Sequence, residues 1–325
     1  MNKKYLRLGL GVLLAGLFGW LILRGIDWRE LHATLAAAQG QFIFAAIVAF
    51  VVGYSCRILR WHAMLQHDAP NLRASQVAGP FLASFAANNV LPFRAGDVMR
   101  AFAFNKTLQT TSGTVLATLF VERLLDLLMV IVMLGGALLV FQINAIAGVG
   151  ASLLLAGAVL ILFVLVFPRS FSPLISFAAN LIKRISPTIG EKIQQEANKA
   201  ISTLATLAQG SMMLKLLAFS LCAWLAEGLV FYFAALSLPA LSAPQAGWLA
   251  LPTGTLATLI PSTPGYVGTF DFFTVHAMKL LGNSQVAATA YAFLVHALLW
   301  FPPTLIGGLY IAKHSIKTPK TETLS

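Results

Sequence analysis

The sequence has little charge and almost no cysteine. Charged residues make up 10% of its 325 positions, whereas soluble domains carry about 25%. The two cysteines lie in separate apolar segments, so they predict neither a disulfide framework nor a metal site. Hydrophobic residues reach 58%, and the mean hydropathy is +0.81. This composition indicates an integral membrane protein rather than one or two soluble domains.

The motifs of common catalytic sites are also missing. The sequence shows no Walker loop, Gly-rich dinucleotide turn, HExxH motif or Ser-His-Asp order. His276 and His296 stand alone in apolar surroundings, and His62 and His67 are five residues apart, a poor spacing for metal ligands. We therefore predict no bound metal or cofactor and no enzyme activity. A membrane transferase that works with scattered carboxylates remains an alternative.

The charge that is present is mostly basic, with 22 Lys and Arg against 11 Asp and Glu and a net charge of +11. Because the basic residues flank apolar segments, they indicate the positive-inside bias rather than binding to nucleic acid. Lys3, Lys4 and Arg7 place the N-terminus in the cytoplasm, and Lys313 and Lys317 place the C-terminus there too. We predict a multi-pass protein of a bacterial inner membrane, with an uncleaved first helix because no small-x-small site follows it.

Six apolar runs are long enough to cross a bilayer as helices, for which about 20 residues are needed. Two shorter stretches, Ser75–Leu91 and Gly247–Ile260, lie next to polar residues, prolines and glycines. The six predicted spans are Leu6–Leu23, Phe42–Leu59, Leu124–Phe141, Ala145–Phe167, Leu214–Leu236 and Ala288–Ile311.

The orientation of the spans constrains the two shorter stretches. Basic residues place both flanks of Ser75–Leu91 in the cytoplasm, so this stretch either re-enters on one side or pairs with Thr111–Val121 as two half-length helices. By the same argument Gly247–Asp271 enters and leaves on the outer face. Broken backbone at membrane depth must lie against protein or a watery cavity. We therefore expect two re-entrant hairpins inside the bundle, although full spans remain open.

The two stretches share the pattern Pro-x-x-x-Gly, at Pro92 and Gly96 and again at Pro264 and Gly268. Paired broken segments in two halves are typical of inverted-repeat transporters with a site at the repeat interface. We predict one all-α integral membrane domain over 1–325. Its possible repeats are residues 42–141 and 214–311, joined by a cytoplasmic amphipathic connector, 168–213, and followed by a flexible tail, 314–325.

Charged residues inside apolar runs are the candidate site. Glu122, Arg123 and Asp126 begin one predicted span, where Arg123 could pair locally with Asp126. Glu227 lies near the middle of another span with no charge nearby in sequence. Such a group must be protonated or paired with another segment, since a charge at bilayer depth costs about 2.5–3.5 kcal/mol. Arg94, Arg100, Arg123 or a substrate amine could be its partner.

Two groups of arginines flank these segments. Arg57 and Arg60 follow the second span with Trp61, and snorkelling beside an aromatic belt explains them as well as phosphate recognition does. Arg94 and Arg100 bracket Asp97 at spacings of three, which on a helix would place all three on one face. That group is either a topology signal or an anion site in which Asp97 orients a guanidinium.

Four motifs occur in order along the chain: "RILRWHAML", "NNVLPFRAGDVMRAF", "VERLLDLL" and "PSTPGYVGTFD". Together they resemble the transmembrane region of lysylphosphatidylglycerol synthases, a flippase-like family with many stand-alone members, and the similarity covers nearly the whole chain. The matching positions are Arg57, Arg60, Trp61, Asn89, Pro92, Arg94, Gly96, Asp97, Arg100, Glu122, Arg123, Asp126, Pro261, Pro264, Gly265 and Gly268.

The resemblance implies a polytopic bundle that moves a lipid between leaflets, in synthase-linked members an aminoacylated phosphatidylglycerol. This sequence shows no soluble transferase domain after its membrane part, so we do not expect lysyl transfer. We expect an anionic or aminoacylated phospholipid, or a lipid-linked headgroup, to be moved past the charged residues above together with Glu227. The alternatives are an enzyme acting on lipid-linked sugars or phospholipids, and an accessory partner of a lipid synthase or glycosyltransferase. An oligomer is also possible.

Overall fold

The computed structural model describes residue 13 and residues 16–142, 145–259 and 263–314. Within these ranges every regular element is helical, which confirms the all-α polytopic class. The α-helices are α1 (Trp28–Ala36), α2 (Gly40–Leu65), α3 (Ala74–Val90), α4 (Ala95–Phe102), α5 (Asn105–Leu108), α6 (Ser112–Phe141), α7 (Ala145–Val166), α8 (Ser172–Ile185), α9 (Pro187–Leu207), α10 (Met212–Leu236), α11 (Gly247–Ala257), α12 (Thr269–Leu280) and α13 (Gln285–Lys313).

Five helices in the described part of the chain are long and apolar enough to cross a membrane, namely α2, α6, α7, α10 and α13. They coincide with five of the six predicted spans. The sixth, Leu6–Leu23, falls largely outside the described residues, although residues 16–23 are helical. The alternative that made Thr111–Val121 a separate half-helix is wrong. The Thr111 side chain caps α6 by accepting from the Thr114 N–H at 3.2 Å, and the helix then continues for 30 residues.

The first short stretch forms a helix pair with a break between its members. Helix α3 ends at Val90, a 3₁₀ turn covers Pro92–Arg94, and α4 begins at Ala95. Helices α3 and α4 pack against each other. Gly96 permits this close approach, because a Cβ at that position would overlap the carbonyl oxygen of Ser84. The chain thus turns back on itself at the break, as the hairpin prediction requires.

The second short stretch repeats this arrangement. Helix α11 is followed by a 3₁₀ turn at Pro264–Tyr266 and then by α12, and the two helices pack together. Gly265 and Gly268 have φ of 70° and 85°, in the left-handed region that glycine adopts without strain. Pro261, which was predicted to help break this segment, lies outside the described residues.

The two broken pairs are packed in matching ways. Helix α2, which precedes the first pair, packs along α10, which precedes the second. Helix α3 of the first pair packs on α13, which follows the second, and α11 packs on α6, which follows the first. Each half thus packs against the broken helix of the other half; that the two halves are related repeats stays a prediction. Their opposite orientation in a membrane stays a prediction.

The connector predicted over residues 168–213 is helical through most of its length. It forms two helices, α8 and α9, which pack against each other, and α9 also contacts α6. Pro187 at the first position of α9 explains the division, because its ring cannot continue α8 but fits the start of a new helix. The predicted flexible tail lies outside the described residues beyond His314.

Candidate functional site

A cavity of about 470 Å³ lies between the two broken helix pairs. The first pair and its turn contribute Phe85, Asn89 and Arg94 to its wall. Long helices and the second pair supply the rest. The remaining lining residues that carry polar or aromatic groups are Tyr54, Arg57, Arg123, Asp126, Trp224, Glu227, Thr255, Thr258, Tyr266, Phe270, His296 and Trp300.

Arg57 and Glu227 form a hydrogen-bonded ion pair between α2 and α10. Arg57 is 8% exposed and also lies 3.7 Å from Asp126. Glu227 therefore has the partner from another segment that its sequence position requires, but this partner is none of the arginines considered above. The snorkelling interpretation of Arg57 is wrong, because its guanidinium points into the bundle and not towards a headgroup layer.

Arg60 lies deeper, at 1% exposed, and its Nη2 is 2.9 Å from Asp126 Oδ1. Its Nη1 donates to Ser220 Oγ at 2.8 Å, and Trp224 Nε1 donates to Asp126 Oδ1 at 3.1 Å. Asp126 is thus surrounded by donors from two other helices. The local Arg123–Asp126 pair does not form, because this carboxylate points towards α2 and α10.

Arg100 and Glu122 form a second buried ion pair, behind the cavity wall. Two bonds of 3.2 and 2.7 Å join them, and they are 0% and 1% exposed. The Arg100 guanidinium lies 3.7 Å from the ring centre of Trp61, whose Nε1 donates to Thr118 at 3.1 Å. Trp61 is fully buried, so its interpretation as an aromatic belt residue is wrong. This cluster joins α4 to α2 and α6 and does not line the cavity.

Arg123 and Arg94 are the more accessible cations. The Arg123 side chain is 35% exposed and lies 3.6 Å from Asp97 and 3.4 Å from Glu122. Arg94 is half-buried and donates from Nε to the Tyr266 hydroxyl at 3.2 Å. Arg94 precedes α4 with a φ of 53°, so it does not share a regular helical face with Asp97 and Arg100.

The four carboxylates of this region each lie closest to a different arginine. Among the described residues, Arg94 forms no ion pair with a carboxylate, and one formal positive charge is left over. The pairs are Arg57 with Glu227, Arg60 with Asp126, Arg100 with Glu122, and Arg123 with Asp97.

Two asparagines hold the first break in place. The Asn88 amide donates to Asp97 Oδ1 at 2.9 Å, and its oxygen accepts from the Asp97 N–H at 3.2 Å, so it ties α3 to α4. Asn89 donates to Thr304 Oγ1 at 2.8 Å, which ties the same break to α13. Asn89, predicted as a binding residue, thus both lines the cavity and anchors its wall.

His296 is a residue of the cavity that the sequence interpretation missed. Its Nδ1 is 2.7 Å from Asp271 Oδ1, and its Nε2 is 2.9 Å from the Gly265 carbonyl oxygen. Both ring nitrogens therefore face acceptors, which requires an imidazolium ring or a protonated Asp271. Asp271 also accepts from the Gly268 N–H at 2.9 Å. One feature of the sequence could have pointed to this group: Asp271 follows Gly268 by three residues, the spacing of a side chain that caps the start of a helix.

No metal centre is formed in the described ranges, since no three His, Cys, Asp or Glu side chains are grouped there as metal ligands would be. The polar wall of the cavity instead offers guanidinium, hydroxyl and amide donors, which suit an anion. Three of the arginines predicted to bind phosphate, Arg57, Arg94 and Arg123, line this cavity. Arg60 and Arg100 are enclosed by other side chains.

Comparison with known proteins gives a match over residues 8–307 to the family model described as the lysylphosphatidylglycerol synthase TM region. A UPF0104 membrane protein of Methanocaldococcus jannaschii is 27% identical over 72% of this chain and 98% of its own length. Another, from Pyrococcus horikoshii, is 24% identical over 96% of this chain and 97% of its own. The glycosyltransferase AglD of Haloferax volcanii is 27% identical over 92% of this chain but only 53% of its own.

Proposed function

Because the chain belongs to the lysylphosphatidylglycerol synthase transmembrane-region family, we propose that it moves a phospholipid or a lipid-linked headgroup between the leaflets of its membrane. Membrane lipids are then its substrates, and catalysis of a covalent reaction is not part of this role. A bacterial inner membrane with both termini in the cytoplasm is the proposed setting, although the relatives named above are archaeal.

One observation carries this proposal, namely the charged cavity between the two broken helix pairs. Charged side chains in a membrane bundle are costly, and they usually mark the path of a polar substrate. Broken helices expose backbone groups to such a path, and pairs of them in two halves commonly flank a transport site. The cavity's volume of about 470 Å³ suits a headgroup, since pockets for small molecules measure about 300–1,000 Å³.

The residues divide into three roles under this proposal. Arg94 and Arg123, which are accessible from the cavity, attract the phosphate group. Arg57 and Glu227 form an ion pair in the wall of the same cavity. Pro92 and Gly96, with Pro264, Gly265 and Gly268 in the second half, keep the helices broken so that backbone groups face the cavity.

The similarity to a protein named glycosyltransferase AglD favours a second candidate, in which the chain serves a glycosyltransferase or itself acts on lipid-linked sugars. The similarity covers only about half of AglD. Incubation of the purified protein with lipid-linked sugars, followed by mass spectrometry of the lipids, separates this candidate from transport alone. A new covalent product would favour the enzyme.

A leaflet-resolved assay tests the main proposal. Purified protein is placed in liposomes containing phospholipids with a fluorescent acyl chain, and dithionite bleaches the outer leaflet. We expect the inner-leaflet fraction to become bleachable faster than in protein-free liposomes. Arg123→Gln should slow this exchange, whereas the matched control Arg29→Gln, at an exposed position of α1, should not. Exchange no faster than in protein-free liposomes would refute the proposal.

A further inference from the structure

The unpaired charge of Arg94 lies at the point where the two broken helix pairs meet. Arg94 is the last residue of the first 3₁₀ turn, and Tyr266 is the last residue of the second. Their side chains hydrogen bond across the cavity, and Gly265 lies against the Asn89 carbonyl oxygen. Any headgroup that passes between the hairpins must therefore pass this pair.

The pair offers hydrogen-bond donors to a ligand. The Tyr266 hydroxyl accepts from Arg94 Nε, so its own proton remains available to donate. The two terminal nitrogens of Arg94 also carry N–H groups that point away from Nε, in a planar fork suited to two phosphate oxygens. A phosphate between them would receive hydrogen bonds from both hairpins at once.

The carboxylates of the cavity wall do not form a corresponding binding site for a cation. Glu227 and Asp126, the acidic residues of the cavity wall, are engaged by Arg57 and Arg60. A ligand ammonium group would have to displace one of these arginines, leaving a buried guanidinium without its counter-charge. Uncompensated charges in such a place are strongly disfavoured. The His296–Asp271 contact is balanced in itself and adds no free carboxylate.

We infer that the transported lipid has a headgroup of one net negative charge, whose phosphodiester binds Arg94 and Tyr266, and that aminoacylated headgroups are poor substrates. This inference rests on the proposed transport function and narrows it. A phosphodiester neutralises the one charge left over in the site. A zwitterionic headgroup adds an ammonium without a partner, and a lysylated one adds a net positive charge.

The test compares three labelled lipids in the liposome assay: phosphatidylglycerol, phosphatidylethanolamine and lysylphosphatidylglycerol, each in a neutral phosphatidylcholine host. We expect phosphatidylglycerol to cross fastest and the lysylated lipid to cross slower by on the order of tenfold, which corresponds to about 1.4 kcal/mol. Arg94→Gln should abolish this preference. Arg94→Glu should reverse it, and Arg29→Glu, the exposed control, should leave it unchanged.

The outcomes separate the inference from the function on which it rests. If no lipid crosses faster than in protein-free liposomes, the transport function itself is refuted. If lipids cross but the lysylated one is as fast as phosphatidylglycerol, or the preference survives in a folded Arg94→Gln protein, the inference is wrong while transport stands. Folding of each variant is checked by its melting temperature in detergent.

A binding measurement distinguishes a lipid from a soluble source of the same group. Binding of phosphatidylglycerol in mixed micelles is compared with binding of glycerophosphoglycerol and of inorganic phosphate, with the Arg94→Gln protein as reference. We expect tight binding only for the lipid. Equal binding of the soluble phosphodiester or of phosphate would assign the site to a soluble anion and overturn the lipid assignment.

Discussion

Arg94 and Tyr266 occupy equivalent places in two separate hairpins and hydrogen bond to each other. Each is the third residue of a 3₁₀ turn that begins with proline, and each has a left-handed backbone, with φ of 53° and 60°. Such a conformation costs about 1 kcal/mol or more for a residue other than glycine. The structure thus places two strained residues where its two halves touch.

Removal of the Tyr266 hydroxyl tests how much its hydrogen bond with Arg94 contributes to lipid exchange. Tyr266→Phe keeps the ring but leaves Arg94 Nε without its acceptor, so lipid exchange should slow several-fold. The melting temperature should change little, because the loss of one partly exposed hydrogen bond costs about 1 kcal/mol. Phosphatidylglycerol exchange and thermal unfolding are measured on the same preparation. Exchange at the parental rate would show that the hydroxyl plays no part.

The glycine at the first hairpin is expected to be intolerant of even one added methyl group. In Gly96→Ala the new Cβ would overlap the Ser84 carbonyl oxygen, and forced overpacking costs about 1–3 kcal/mol. We expect a lower melting temperature in detergent and loss of exchange. Gly136→Ala in α6 is the control, since no atom beyond the nearby backbone of its own helix lies within 4 Å of its added Cβ. Equal stability of the two variants would contradict the hairpin packing.

The Arg57–Glu227 pair predicts non-additive substitutions. Arg57→Gln and Glu227→Gln each leave one charge inside the bundle with fewer partners, which should cost about 2 kcal/mol of unfolding free energy. The double variant removes both charges together, so its cost should fall short of the sum by about 1 kcal/mol or more. Denaturant unfolding of the four proteins in detergent measures this. Strict additivity would mean that the two residues do not interact.

Arg100 is predicted to require its guanidinium and not only its charge. Arg100→Lys would lose one of two bonds to Glu122 and the stacking on Trp61, with an expected loss of about 2 kcal/mol. The comparison is Arg29→Lys at an exposed position, where we expect a change within about 0.5 kcal/mol. Thermal unfolding in detergent provides the readout. An equally small effect at Arg100 would argue against the buried cluster.

His296 is predicted to hold the second hairpin in position. His296→Phe keeps an aromatic ring but leaves Asp271 and the Gly265 carbonyl without their donor, so exchange should fall along with stability. The matched control is His276→Phe at an exposed position of α12, which should keep both properties. Parallel exchange assays and melting curves compare the two. Full activity of a folded His296→Phe protein would remove this residue from the mechanism.

The sequence predicted those features that depend on local chemistry. Apolar length located the spans, and the prolines and glycines at Pro92, Gly96, Pro264 and Gly268 located the breaks, because such residues act on their own backbone. The partner of Glu227 could not be found in this way. Arg57 is 170 positions away, and its choice over other arginines depends on how α2 packs along α10. His296 was missed for the same reason, since its partners lie on other elements.

The apolar tips of the two hairpins affect which parts of a lipid the protein recognises. Val90 and Leu91 at the first break, and Leu259 and Val267 around the second, are 47–66% exposed. An apolar surface at these tips allows the acyl chains of a lipid to stay in the bilayer while only its headgroup enters the cavity. The protein would then not distinguish lipids by the length or unsaturation of their acyl chains. It would transport lipids of every acyl composition that the membrane adopts as growth temperature changes.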